Sequence, residues 1–308
     1  MKGAFMKRNK VINTVDFKEF VANDVNNQKG IFHPVKASFL ERLFVKKVSC
    51  KRLHPNASDE FTFSDIGPSY RIISEYEKNF RHYLSKGQRL ELEPLTIEKL
   101  RPRGYLILNG HHRWAAAMRV GLKRVPVEIV NLAQESDIKK ILENSKHNKR
   151  VTLDLDEVVF KSNDDPYLEK RLHFPFNLKF KKRIRLGIPA LFYFLSKNGY
   201  DIWVYSANYY SIDDVKSFFR HYSVNVDGII TGTAKKKQNP TKADAEMEQL
   251  IANKYQETLH IDNDLILLTH KENGDFQEYE LNANAEDWSR KAITIIGEIE
   301  NARKTENL

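Results

Sequence analysis

The chain has 308 residues, 41% of them hydrophobic, and a formal net charge of +9. That is enough chain for about two domains with real cores, and the positive balance favours anionic partners such as nucleotides, nucleic acid or phosphorylated metabolites. The single cysteine, Cys50, excludes an internal disulfide framework and a multi-cysteine zinc site, and no apolar run reaches the ~18 residues of a membrane span.

Residues 1–30 are polar and read as a loosely attached extension with a short helix at 16–22; MKGAFMKRNKVINTVDF has no apolar secretory core, so a cytoplasmic protein is expected. A first domain, small and α+β, runs over 31–133. Within it, RLFVKKVSCKRL (42–53) reads as a strand, and PNASDEFTFSDIGP (55–68) is turn-rich and acidic. Ile72, Ile73, Tyr76, Phe80, Tyr83 and Leu84 recur at helical spacing, which predicts an amphipathic helix over 69–84. LEPLTIEKL and GYLIL are strands, HHRWAAAMRV is a helix stopped by Gly121, and RVPVEIV (124–130) is a closing strand. Residues 134–150 form a charged helical linker. The second domain, 151–308, then alternates: strand 151–155, helix 188–198, strand 201–205, helix 211–222, strand 227–231, helix 241–254, strand 258–262, and a terminal helix at 284–304. Such alternation predicts an α/β domain, a Rossmann-like parallel sheet with helices on its faces.

Chemistry concentrates at predicted strand ends. VTLDLDEVVF ends a buried strand on Asp154 and Asp156, and ligands of open parallel sheets bind at that edge. Two carboxylates so close repel unless a cation or a shared proton relieves them, and Mg²⁺ is the natural cation. DIWVYSAN ends a second strand on Ser206, a hydroxyl able to hold a phosphate oxygen. TLHIDNDL ends a later strand on Asp262, with Asp264 two residues on. NPTKADAEMEQL places Lys242 at a helix start facing the same edge, and is preferred as phosphate ligand over the loop lysines Lys235, Lys236 and Lys237.

This order of parts, over about 151–300, resembles the haloacid dehalogenase superfamily of phosphohydrolases. The resemblance implies that Asp154 is a nucleophile forming an aspartyl-phosphate and that Asp156 protonates the leaving group and then activates water. Ser206 and Lys242 bind the phosphoryl group. Asp154, Asp156, Asp262 and Asp264 form the Mg²⁺ site, with Asn263 separating two acids that are often adjacent in the family. The stretch KRLHFPFNLKFKKRIRLG lies where members of this superfamily insert caps. It is short and basic, consistent with an open site for a large anionic substrate, including a nucleic acid end, or with an ordinary connector.

LILNGHHRW raises a second site. Asn109-Gly110 makes a tight turn, the helix that follows offers N–H groups to an anion, and Arg113 can fork onto phosphate oxygens. His111 and His112 can donate hydrogen bonds or ligate a metal. EPLTIEKLRPRGYLILNGHHRWAAAMRVGLKRVPVEIV resembles the ParB/sulfiredoxin-like superfamily, whose helix start binds nucleotide phosphates. The resemblance implies that Gly110, His111, His112 and Arg113 form a phosphate-binding corner, with ATP or ADP as cofactor, and that Asp59, Glu60 or Asp65 supplies a metal ligand or general base. His111 stands where sulfiredoxins carry their reactive cysteine, so sulfinic acid repair is not expected.

The combined expectation is a Mg²⁺-dependent phosphomonoesterase fused to a nucleotide-binding domain, acting on a small phosphorylated molecule or a nucleic acid end. Two rivals remain: a ParB-like nucleic-acid-binding regulator, and an ATP- or ADP-dependent small-molecule kinase coupled to the phosphatase.

Overall fold

The computed structural model describes residues 14–87, 92–233, 242–271, 274 and 276–306. The chain divides into two units, Met1–Asn131 and Leu132–Leu308, and both mix helices with parallel and antiparallel strands.

The first unit opens with α1 (Thr14–Gln28), β1 (His33–Pro34), α2 (Phe39–Phe44) and β2 (Lys47–Ser49). A 3-10 turn (Cys50–Arg52), β3 (Leu53–Pro55), a second 3-10 turn (Glu60–Thr62) and α3 (Tyr70–Ser85) follow. It closes with β4 (Leu95–Arg101), β5 (Tyr105–Asn109), α4 (His111–Arg119) and β6 (Arg124–Ile129). The sheet order is β2-β6-β4-β5-β3, with β1 also paired to β4. β4 runs parallel to β6 and antiparallel to β5. The core joins sheet residues Ile97, Ile107 and Val127 to Ile73 and Phe80 of α3 and to Trp114–Ala117 of α4.

Two sequence expectations change here. α1 is no loose extension: Phe17 and Val21 are buried in this core, because the helical period puts both on one face. The 42–53 segment is not one strand but the end of α2, β2, a 3-10 turn and β3. The basic pairs Lys46-Lys47 and Lys51-Arg52 break strict alternation, and buried Cys50 donates its backbone N–H to Lys123 O at 3.1 Å.

The second unit contains α5 (Glu135–Asn144), β7 (Lys149–Asp154), a single π turn (Leu155–Val159) and β8 (Phe160–Lys161). Next come α6 (Phe176–Lys179), β9 (Arg183–Ile184), α7 (Ile188–Lys197), β10 (Tyr200–Ser206), α8 (Ile212–Arg220) and β11 (Gly228–Thr231). It ends with α9 (Lys242–Lys254), β12 (Glu257–Ile261), β13 (Leu265–His270), β14 (Phe276–Glu280) and α10 (Trp288–Glu306). The sheet order is β11-β10-β7-β12-β13-β14. The first four strands are parallel, as the alternation predicts, and bury Val151, Leu153, Ile202, Val204 and Leu259. β13 and β14 are antiparallel additions, so the sheet is mixed rather than wholly parallel. The reversal follows from a tight turn at Asp262–Asp264, closed by Asp262 N–H donating to Leu265 O at 2.9 Å.

α5 was expected as linker, yet it is built into the second unit. Ile138 is buried with Trp203, Ile230, Met247, Ile251 and Tyr255. Among the described residues no helix is long and apolar enough to cross a membrane.

Candidate functional site

β10, β7 and β12 are adjacent and parallel, and each delivers one of the expected polar residues at its C-terminal end. Tyr205 pairs with Asp154, so Ser206 follows beside it; Ile261 pairs with Leu153, so Asp262 lies opposite Asp154. Neighbouring strands are about 4.8 Å apart, which brings Asp154, Ser206 and Asp262 to one edge.

Asp154 caps the π turn. Its Oδ1 accepts from the backbone N–H of Asp156 at 2.7 Å and of Glu157 at 2.9 Å. That turn swings Asp156 towards β10 rather than towards Asp154. Asp156 Oδ2 accepts from Ser206 Oγ at 2.6 Å and Asn208 Nδ2 at 3.0 Å, and Oδ1 accepts from Tyr210 OH at 2.6 Å. Lys182 Nζ stands 3.7 Å away. Burial pushes the Asp156 carboxyl up, but the hydrogen bonds from Ser206, Tyr210 and Asn208, together with the Lys182 charge, outweigh it and hold the group below its ordinary value. In this arrangement Asp156 is an ionised acceptor.

On the other flank Asp262 Oδ1 accepts from Asn263 N–H at 2.6 Å. Asn263 Oδ1 accepts from both Lys161 Nζ at 2.8 Å and Arg185 Nη2 at 3.0 Å. Arg185 is buried against the Trp288 ring, 4.2 Å from its centroid, and burial brings its guanidinium down to about 10. Burial, then the Arg185 charge, lowers Lys161. Asp264 is exposed, and its backbone carbonyl accepts from Leu281 N–H at 2.6 Å. α9 begins at Lys242 as expected, but the Lys242 side chain lies outside the described residues, as do Lys235, Lys236 and Lys237.

Among the described residues no three His, Cys, Asp or Glu side chains come together to hold a metal ion. An ion shared by the side chains of Asp154, Asp156 and Asp262 therefore does not fit: Asp156 is turned to Ser206, Asn208 and Tyr210. Two carboxylates on neighbouring strand ends, Asp154 and Asp262, remain a donor set that Mg²⁺ accepts when phosphate and water oxygens complete its shell.

The sequence pointed to Asp154, Asp156, Ser206 and Asp262 but missed Asn208, Tyr210, Lys182, Lys161 and Arg185. Asn208 and Tyr210 follow Ser206 closely enough to have been candidates. The other three reach the edge through the β8–β9 excursion, whose basic composition is visible in the sequence while the cations that return to the edge are not.

In the first unit, Gly110 opens α4 with φ 98°. A Cβ there would lie 2.4 Å from Leu95 Cδ2 and 3.0 Å from Arg113 Nη2, so only glycine fits. His111 is buried; its Nε2 accepts from Asn56 N–H at 3.2 Å, and its Nδ1 faces Asp59 Oδ2 at 3.3 Å. His112 Nε2 accepts from Ser69 N–H at 3.1 Å. Both rings flank Phe61, at 5.3 and 5.1 Å between centroids. The two histidines thus fasten the 56–69 segment over the start of α4, with their Nε2 atoms turned to the protein rather than to an anion. Arg113 pairs with Glu93, whose side chain is 80% exposed against 10% for Arg113. Asp59 Oδ1 also caps the second 3-10 turn, accepting from Phe61 N–H at 3.1 Å. Glu60 and Asp65 are exposed.

Residues 84–145 match the family model described as ParB N-terminal domain. The match covers β4, β5, α4 and β6, includes the Gly110–Arg113 corner, and runs on into α5. It supports the ParB-like reading of the N-terminal part. No curated protein and no solved structure matches the chain.

Proposed function

We propose that this protein binds nucleic acid or a nucleotide through its ParB-like N-terminal unit. One observation carries the reading: the ParB N-terminal domain match falls on the Gly110–Arg113 corner. The corner's chemistry supports it. The first turn of α4 points N–H groups along the helix axis, where the dipole favours an anion. Arg113 is held by a carboxylate that is itself mostly in water, so an arriving phosphate can replace Glu93 as its partner. His111 and His112 act in this reading by holding the 56–69 wall of the corner. Titration of the full chain with labelled single- and double-stranded oligonucleotides, and calorimetry with ATP and ADP, test it. Arg113→Ala should weaken binding by about tenfold or more, as loss of a charge-assisted pair does. A protein that binds neither oligonucleotide nor nucleotide would remove the reading. Calorimetric ATP binding with turnover of a small acceptor would instead favour the kinase rival.

A second reading, a phosphomonoesterase in the second unit, is favoured by Asp154, Ser206 and Asp262 ending three neighbouring parallel strands. Here the Asp154 carboxylate attacks phosphorus and the P–O bond to the leaving alcohol breaks, giving an aspartyl-phosphate. Asp156 delivers a proton to that oxygen, then takes one from the water that hydrolyses the intermediate. Asp156 must first acquire a proton, and a phosphate dianion beside it raises its affinity for one. Ser206 Oγ and Lys182 can turn from Asp156 to the phosphate oxygens. Lys242, at the start of α9, remains a further phosphate ligand in this reading. Asp154 and Asp262 would hold Mg²⁺, which when bound supplies charge neutralisation. An aryl phosphate assay with added Mg²⁺ should give hydrolysis that Asp154→Asn abolishes. Silence across a broad panel of phosphate esters would leave the binding reading alone.

A further inference from the structure

Between β8 and β9 the chain leaves the sheet and returns with an unusual surface. Residues 170–186 contain seven Lys or Arg and no Asp or Glu. The same stretch exposes Phe174 at 76% and Leu178 at 69%, with Phe176 at 45%. This segment is not left to drift. Tyr222 OH donates to Lys170 O at 3.1 Å, and the Phe180 ring sits 5.4 Å from Phe218 of α8. Phe176 lies 4.0 Å from the His221 ring. At its far end Lys182 Nζ comes within 3.7 Å of Asp156. An exposed aromatic ring, the exposed cations Lys170, Arg171, Lys181 and Lys182, and the Asp156 edge therefore lie along one continuous, anchored piece of chain, in which Lys179 pairs with Asp214 and Arg185 is buried.

We infer that this segment is a platform for single-stranded nucleic acid, whose terminal phosphate is directed to the Asp154–Asp156 edge. The terminal placement rests on the phosphomonoesterase reading; the binding does not. Repeated cations match repeated phosphates, and an exposed ring stacks on any base. A phosphopeptide offers one phosphate and no repeating charge to meet the rest of the run. A membrane surface would want an amphipathic helix, whereas the only helix of the segment is the four-residue α6.

The test uses the full chain and a 3′- or 5′-phosphorylated, fluorescein-labelled single-stranded 12-mer. Anisotropy should show salt-dependent binding. Phe174→Ala should weaken it about tenfold through lost stacking, and Lys181→Ala should reduce the salt slope by about 0.7. If the protein also hydrolyses phosphate esters, the ratio of kcat/KM on the phosphorylated 12-mer to that on an aryl phosphate should fall about tenfold in Phe174→Ala. Oligonucleotide binding that neither substitution changes would belong to another surface and overturn the inference. So would absence of oligonucleotide binding, whether or not vesicles with anionic lipid bind. Loss of binding in both variants with no hydrolysis of any ester would uphold the platform and remove the phosphomonoesterase reading.

Discussion

The Ser206 hydroxyl donates to Asp156 Oδ2 at 2.6 Å, tying the end of β10 to the turn after β7. Ser206 is fully buried, so this bond is sheltered from water. A hydrogen bond to a charged partner contributes roughly 1.5–3 kcal/mol. Ser206→Ala should cost about that much stability, and Asp156 should titrate closer to an ordinary aspartate. Urea unfolding and NMR titration of the Asp156 carboxyl check both. Ser206→Thr, which keeps the hydroxyl, should restore the titration. A Ser206→Ala protein whose Asp156 still titrates low would show that Tyr210 and Asn208 hold the carboxylate by themselves.

Acid stability follows from two carboxylates of the same unit. Burial pushes Glu300 up, but hydrogen bonds from Lys149 at 2.8 Å and Tyr200 at 2.6 Å, with Arg303 beside them, hold it below its ordinary value. Asp156 is likewise lowered. A depressed carboxylate adds stability that is fully present above its unfolded pKa, near 4, and is lost as pH falls through the lower folded value. The contribution of these two carboxylates should therefore be constant from neutral pH down to about 5 and be lost below about 4, beneath an earlier loss that begins near 6.5, where burial keeps the His260 ring from taking the proton it binds in the unfolded chain. Glu300→Gln should flatten that acid limb, measured as urea midpoint against pH. An unchanged limb would place the proton uptake elsewhere.

Asn263 gathers two cations on one oxygen, so its loss is expected to be disproportionate. Asn263→Ala takes one acceptor from Lys161, which keeps Glu157 O at 2.8 Å, and one from the buried Arg185, whose Nη2 keeps Ala283 O at 2.9 Å; losing a hydrogen bond to a charged group costs about 1.5–3 kcal/mol. It also frees the turn that carries Asp262. Asn263→Asp keeps the oxygen and adds a charge that the two cations neutralise, so it should fold at least as well as the natural chain. Equal destabilisation by both variants in chemical unfolding would refute this account.

The two histidines of the first unit separate a positioning role from a binding one. His111 accepts the Asn56 N–H at Nε2, which assigns its proton to Nδ1, facing Asp59. His111→Ala removes a buried ring and leaves a backbone donor without its acceptor, and about 2–4 kcal/mol of stability should go with it. Thermal unfolding with and without oligonucleotide measures this. If His111→Ala instead leaves stability intact and abolishes binding, the ring touches the ligand directly.

The sequence made much of this legible, for reasons that differ by region. The parallel strands of the second unit are continuous apolar runs ended by polar residues, so Asp154, Ser206 and Asp262 were visible as strand ends. The helices over 70–85 and 111–119 were visible through their 3.6-residue period and, for α4, through Gly110 and Gly121. What stayed hidden depends on contacts distant in sequence. Nothing local says that Asp156 turns to Tyr210, that Lys182 returns to meet it, or that Asn263 serves Lys161 and Arg185. The histidines carry a structural role that the sequence does not separate from anion binding, because His at a helix start suits either. The partners that show the structural role, the Asn56 and Ser69 amides, lie 55 and 43 residues away. The β13–β14 extension was missed because the reversal at Asp262–Asp264 looks, in sequence, like a ligand loop.

α1 offers the sharpest check on where the first unit begins. Phe17 is fully buried, 6.0 Å from the Phe20 ring and 5.9 Å from Trp114, which itself anchors α4 by donating Nε1–H to Cys50 O at 3.1 Å. Asp24, further along the same helix, contacts His54 Nδ1 of β3 at 3.1 Å. Removing a buried Phe side chain typically costs about 3–5 kcal/mol through lost transfer energy and the cavity left behind. Phe17→Ala should therefore lower the stability of the first unit by that amount and loosen α4. Hydrogen exchange should quicken at the Trp114–Ala117 amides and stay unchanged in β7, β10 and β12. Phe17→Leu, which refills most of the space, should recover more than half of the loss. If Phe17→Ala leaves exchange in α4 unaltered, α1 is the separable extension that its polar sequence suggests.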